Sequence, residues 1–145
     1  MTDRKEIEKL LKDAYAARKR GDVDAICACF AENPAFAMAG ARETSPVALQ
    51  CAEGPTFRAV MSGMIQTFEW LDHQILSMII DGPKAAVHWR GRIRSALTGE
   101  EVVTELVDVV MVADGKIQSF VEFCDTALAA KLMGADAARA EPAMA

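Results

Sequence analysis

Two acids interrupt apolar, strand-like runs: Asp108 lies within Leu106-Val107-Asp108-Val109-Val110, and Glu122 within Phe120-Val121-Glu122-Phe123-Cys124. Both runs are rich in β-branched and aromatic residues, and along a strand successive side chains point to opposite faces. On that alternation Asp108 shares a face with Thr104, Leu106, Val110 and Val112, and Glu122 shares one with Phe120 and Cys124. If those faces meet the core, two carboxyl groups enter an apolar interior, where an unpaired charge is expensive. Two close carboxyls cannot both ionise cheaply, so burial raises their pKa values and a shared proton separates them into acid and base. That chemistry is proton transfer on a bound carbonyl compound without a cofactor. A structural role would instead have Asp108 hydrogen-bonded to Tyr15, Thr104 or a backbone group, and Glu122 paired with an arginine.

The residues expected to line the site surround these acids. Tyr15 falls on an apolar helix stripe and either donates a hydrogen bond into the pocket mouth or packs as a ring. Phe36, Met38, Met61, Met64, Trp89, Leu106, Phe120 and Cys124 supply an adaptable apolar wall, which suits a small hydrophobic ligand. His73 and His88 read as structural or exposed, since His88 points away from the core if Trp89 points into it. Asp125 is expected to cap a helix opening at Thr126. The four cysteines (Cys27, Cys29, Cys51, Cys124) form no CxxC pair and, with only two histidines, make no zinc motif. No metal or other cofactor is expected.

The elements that must position these groups follow from periodicity. Ile7, Leu10, Leu11 and Ala14 predict a first helix, with Asp3 and Glu6 as a capping box and an end near Arg20 before Gly21. Asp22 caps a second helix carrying Val23, Ile26, Cys27 and Phe30 and ending at Asn33-Pro34. Ala35 to Ala39 reads as a strand, and the polar stretch with Ser45-Pro46 as a loop or a single helical turn. Phe57, Val60, Met61, Met64, Ile65 and Phe68 predict a third helix with one apolar face. Thereafter the period changes to that of strands over His73 to Ile80, Ala85 to Leu97, Val102 to Val112 and Ile117 to Cys124. Asp81-Gly82-Pro83, Thr98-Gly99 and Asp114-Gly115 are reversal signals between them, which predicts an antiparallel meander. A last helix runs from Asp125-Thr126 to Gly134. The basic row His88, Arg90, Arg92, Arg94 is expected on the outer face, opposite Glu105 or Glu101. Val107, Val109, Met111, Val121 and Phe123 share that outer face and form an apolar patch, so a homodimer through the sheet is expected.

Taken together, Tyr15 with Gly21-Asp22-Val23-Asp24-Ala25-Ile26, His88-Trp89-Arg90-Gly91-Arg92, Leu106-Val107-Asp108-Val109-Val110, Asp114-Gly115-Lys116-Ile117 and Glu122-Phe123-Cys124-Asp125-Thr126 resemble a SnoaL-like member of the NTF2-like superfamily. Ketosteroid isomerases, polyketide cyclases and limonene-epoxide hydrolases share that fold. The resemblance implies an α+β, cone-shaped fold in which N-terminal helices pack on a strongly bent antiparallel sheet and enclose an apolar pocket. It places Asp108 where ketosteroid isomerases hold the protonated acid of their oxyanion hole. Their catalytic-base position appears here as Met38, and their oxyanion tyrosine aligns nearest Ala14 or Tyr15. Glu122 matches the strand position of a catalytic aspartate in the epoxide hydrolases, while the rest of that triad falls near Trp89 and Gly91 and its water-positioning pair falls on Phe36 and Met38. In polyketide cyclases the His and Asp of neighbouring strands fall on Asp108 and Glu122. The implied activity is acid–base catalysis of the isomerase, cyclase or hydrolase type, with Asp108 and Glu122 as the reacting pair. The alternative on the same fold is a ligand-binding or dimeric interaction module without catalysis.

Size and charge bound the remaining possibilities. A chain of 145 residues with 52% hydrophobic and 26% charged residues can bury one core without disulfides or metal. One domain is expected over residues 1–134, with residues 135–145 compositionally disordered. A net charge of -5 and no basic run longer than Arg18-Lys19-Arg20 argue against a nucleic-acid partner. The apolar run Ile75 to Ile80 is too short to span a bilayer, and the charged N-terminal segment lacks a secretory signal, so a cytoplasmic location without a membrane partner is expected.

Overall fold

The computed structural model describes residues 2–41, 43, 49–51 and 54–134. The expected tail at 135–145 and most of the loop around Ser45-Pro46 lie outside the described residues.

Helix α1 (Arg4–Arg20) begins where the Asp3 side chain accepts from the Glu6 backbone N–H at 2.9 Å. It ends at Gly21, whose φ of 73° places it in the left-handed region while its N–H closes onto Ala17 and Arg18. The buried face of α1 carries Ile7, Leu11, Ala14, Tyr15 and, in the same stripe one turn on, Arg18. Asp22 caps α2 (Val23–Cys29) through the Ala25 N–H at 3.1 Å. This helix is shorter than its apolar stripe suggested. Phe30 opens strand β1 (Phe30–Met38), which also contains Asn33-Pro34, because Phe30 pairs with Ile117 and the ladder resumes only at Ala35 after a register shift. Helix α3 (Gly54–Thr67) likewise stops before Phe68, which opens β3 (Phe68–Asp81) and pairs with Ser95. A large apolar side chain serves a helix face or a strand face equally well, so periodicity overran both boundaries. A short strand, β2 (Leu49–Cys51), was not expected at all; three residues are too few to show alternation.

Strands β4 (Lys84–Ser95), β5 (Glu101–Ala113) and β6 (Lys116–Phe123) complete one six-stranded sheet in the order β2-β1-β6-β5-β4-β3. The meander β3 to β6 is antiparallel as expected, with Asp114 and Gly115 both at positive φ in the last turn. The sheet as a whole is mixed, however, because β1 runs parallel to β6. These two strands are joined by α3 and four intervening strands rather than by a hairpin, so nothing in their connection imposes an antiparallel pairing. Two register shifts in β3 bend the strand, as bulges do. Helix α4 (Thr126–Leu132) closes the described chain and is capped by Asp125, which accepts from the Leu128 N–H at 3.0 Å.

The face assignments hold. Trp89, Ile93, Leu106, Asp108, Val110, Val112, Phe120 and Glu122 are buried with the helices' apolar stripes. Val103, Val109, Met111 and Phe123 are exposed, Phe123 by 50%. The outer basic row pairs as expected: His88 meets Glu105 at 2.6 Å, Arg90 the same acid at 3.8 Å, and Arg92 meets Glu101 at 4.0 Å. Arg94 instead pairs with Glu69 on β3.

Candidate functional site

The two acids face each other by register. Asp108 on β5 is the direct partner of Glu122 on β6, Glu122 is level with Met38 on β1, and Asp108 is level with Val87 on β4. One row across the sheet thus carries both carboxyls between apolar neighbours, pointing inward. Asp108 is fully buried and Glu122 nearly so.

Asp108 is held from two sides. The Tyr15 hydroxyl donates to Oδ2 at 2.6 Å from α1, and the Trp89 indole N–H donates to the same oxygen at 2.7 Å from β4. The two carboxyls are direct neighbours across the β5–β6 register, and a proton shared between them would relieve their repulsion. Oδ1 of Asp108 is buried with no hydrogen-bond partner among the described residues, so it is the oxygen left for a proton carried by Glu122. Burial raises the pKa of both groups. For Asp108 the hydrogen bonds from Glu122, Tyr15 and Trp89 work against burial, because each favours the carboxylate. For Glu122 the charge on Asp108 and the shared hydrogen bond add to burial, and only the more distant Arg18 opposes it. The two donors on Asp108 thus favour the charge on Asp108 and the proton on Glu122. Tyr15, buried beside that carboxylate, is pushed well above the usual phenol range and stays protonated as a donor.

Two adjoining cavities lie under the helices, and Glu122, Arg18, Met64 and Trp70 belong to the walls of both. One is completed by Met38, Leu106, Cys124 and α4, the other by Tyr15, Phe36, Met61 and Phe120. Of the residues singled out from sequence, Asp108 and Trp89 line neither cavity. They sit behind Glu122 and Tyr15, so Glu122 is the carboxyl that a cavity occupant would meet.

Two wall residues, Arg18 and Trp70, escaped the sequence reading, whereas His73 was read as structural or exposed. Arg18 is a buried arginine whose Nη2 donates to the carbonyls of Phe68 and Met64 at 2.7 and 3.2 Å, and whose guanidinium lies 4.6 Å from the Trp70 ring centre. Its signal was present: Arg18 continues the spacing of Leu11, Ala14 and Tyr15, so a charge stands on an inward stripe. Trp70 was hidden by the misplaced start of β3. His73 is partly buried, stacked on Tyr15 at 4.5 Å and close to Trp89 at 4.6 Å. Its Nε2 is buried without a partner, and burial depresses its pKa to about 4, so it is a neutral member of the aromatic cluster. Cys27, Cys29 and Cys124 are free thiols, and burial pushes Cys124 up to about 11, which makes it a wall group and not a nucleophile at neutral pH. Among the described residues no cluster of His, Cys, Asp and Glu is arranged to hold a metal ion, and no helix is long and apolar enough to cross a membrane.

Solved structures place this arrangement among known folds. A Bacillus subtilis protein described as a candidate isomerase superposes with a TM-score of 0.82 at 13% identity, covering 92% of this chain and 96% of that one. An NTF2-like protein from Burkholderia xenovorans gives 0.74 at 20% identity over 92% and 99% of the two chains. An epoxide hydrolase of the LEH-like type from M. tuberculosis gives 0.68 at 15% identity over 83% and 84%. At such identities the likeness is one of fold. A search of the curated proteins finds no match. The profile of the SnoaL-like domain matches residues 11–120, which span α1 through the inward Phe120 of β6, and the chain belongs to that family.

Proposed function

We propose that this protein binds a small hydrophobic carbonyl-containing or cyclic compound and moves a proton on it without a cofactor, in the manner of an isomerase, cyclase or hydrolase. The observation that carries the reading is the buried Glu122–Asp108 pair, level across β5 and β6, with two donors fixed on one oxygen of Asp108 and its other oxygen without a partner among the described residues. Such a pair cycles between a monoanion and a neutral diacid. Glu122 takes a proton from the substrate on its oxygen not engaged with Asp108 while passing its own proton to Asp108 Oδ1; the reverse step returns a proton to a different substrate atom. Neither step puts two charges on the buried pair, which is why two carboxyls serve better than one. Tyr15 and Trp89 act as positioning residues: they steady the Asp108 carboxylate before the proton arrives. A homodimer through the exposed sheet face belongs to the same proposal, supported by the apolar patch of Val103, Val109, Met111 and Phe123.

One observation favours a second reading. Asp108 touches neither cavity, as a purely structural acid would, and a ligand-binding module without catalysis accounts for that. Carboxyl-carbon NMR titration separates the two, with Asp108→Asn and Glu122→Gln assigning the signals. Catalysis by the pair requires Glu122 to titrate well above the ordinary value of about 4 and to move downward in Asp108→Asn, since the anion beside it is gone. Titration of both groups near that ordinary value would leave the binding module as the better account.

A further inference from the structure

Both cavities meet at one cation. Arg18 is buried in their shared wall, and its recorded partners are two backbone carbonyls and the face of Trp70. These are dipoles and a π face, not anions. Among the described residues no carboxylate forms an ion pair with Arg18; Glu122 shares both cavity walls and acts on it through charge alone, and burial beside Asp108 favours the protonated form of that acid. Desolvation lowers the guanidinium to about 10, which still leaves it charged at neutral pH. Among the described residues only Nη2 is engaged in hydrogen bonds; Nε and Nη1 have no hydrogen-bond partner there. A buried cation with free donors lining an apolar cavity is an incomplete site, because a charge removed from water needs a counter-charge.

We propose that Arg18 is the docking point for a carboxylate, and that the ligand class is therefore hydrophobic carboxylic acids rather than neutral ketones. The free Nε and Nη1 lie on different edges of the guanidinium, each completed by the engaged Nη2, so a carboxylate takes a single charge-assisted hydrogen bond from one of them and is held mainly by charge. A single arginine in an apolar wall balances a monoanion and not a phosphate carrying two charges. With its carboxylate on Arg18, the ligand's apolar body lies along Met64 and Trp70, and its reacting carbon is brought to Glu122, which shares both walls with Arg18. The orientation of substrate is thus set at one end by charge, leaving the protonated pair free for chemistry at the other. This inference rests on the reading of the cavities as a ligand site.

The test compares a hydrophobic acid with its neutral isostere: 2-naphthoate and 2-naphthamide, titrated calorimetrically into the wild-type protein at pH 7, with the Arg18 Nε–H signal followed by NMR. The expected result is at least 10-fold tighter binding of the naphthoate, with the Arg18 signal shifting for the acid alone. In Arg18→Gln the preference should vanish, and Arg18→Lys, which keeps the charge, should retain part of it. Because the acid–amide comparison is made on the wild type, it stands even if the variants fold poorly. Equal binding of acid and amide would overturn the carboxylate assignment and leave the ligand site intact. Binding of neither would overturn the ligand site itself, and the role of Arg18 with it.

Discussion

Tyr15 and Trp89 put two donors on one oxygen of Asp108, and this asymmetry favours the charge on Asp108 over Glu122. Removing one donor should therefore disturb both stability and titration. In Tyr15→Phe the ring packing against His73 and Trp70 persists while a hydrogen bond to a charged group is lost, a change worth about 1.5–3 kcal/mol. Urea unfolding should show that loss. Carboxyl NMR should show the Asp108 signal titrating higher than in the wild type, because a hydrogen bond that favoured its anion is gone. A Tyr15→Phe protein with unchanged stability and unchanged titration would mean that the tyrosine merely packs against the acid. The acids themselves were legible in sequence because a charge on an alternating apolar strand is conspicuous. The donor pair was legible only in part: Tyr15 stood out on its helix, whereas the role of Trp89 depends on the diagonal placement of a β4 residue against β5, which no single-strand pattern contains.

Strand β4 holds Trp89 in place through its own backbone. A Cβ at Gly91 would come within 2.6 Å of the Trp89 ring and 3.3 Å of the Asp72 carbonyl oxygen. The indole therefore lies across a position where any side chain collides with it. Gly91→Ala should displace the ring at a cost of about 1–3 kcal/mol. It should also weaken the indole bond to Asp108, so the Asp108 titration should rise even though the substituted residue touches neither acid. Unfolding measurements and the carboxyl NMR signal check the two effects; a rise in neither would mean that the strand yields locally without moving Trp89. At this scale the hairpins were readable because turn residues mark them: Gly82, Gly99 and Gly115 all adopt positive φ. The junctions were not, since Phe30 and Phe68 are apolar in either conformation and only long-range pairing with Ile117 and Ser95 decides that they are strand. The parallel seating of β1 beside β6 was likewise invisible, because it joins residues distant in the chain and no local signal records it. Arg18 shows a different failure: its spacing was available, but a charged residue at a helix end is usually solvated, and only the walls of the cavities show that this one is not.

Across the whole molecule, the outer sheet face and the buried titrating groups each make a prediction. Val103 and Ile79, each 64% exposed, extend the patch of Val109, Met111 and Phe123 across the sheet. If that face is a dimer interface, sedimentation should give a dimer for the wild type and a monomer for Phe123→Lys, with the Asp108 and Glu122 titrations unchanged. The buried groups predict how stability varies with pH. Glu122 has a folded pKa well above its ordinary 4.5, so between the two values the native state binds more protons than the unfolded chain, and stability falls as pH rises, by up to about 1.4 kcal/mol per pH unit for one proton. His73 has the opposite sign: its pKa drops from 6.5 to about 4, so within that interval the unfolded chain binds more protons and stability rises with pH. The two contributions oppose each other where their intervals overlap, and above pH 6.5 the histidine no longer contributes. Urea unfolding at pH 5, 6, 7 and 8 should accordingly show a contribution that falls as pH rises and is lost in Glu122→Gln, whose amide can still donate to Asp108. In His73→Phe the opposing contribution that rises with pH should be lost instead. If Glu122→Gln retained the wild-type pH dependence, the proton of the pair would not reside on Glu122, and the acid–base assignment would have to be reversed.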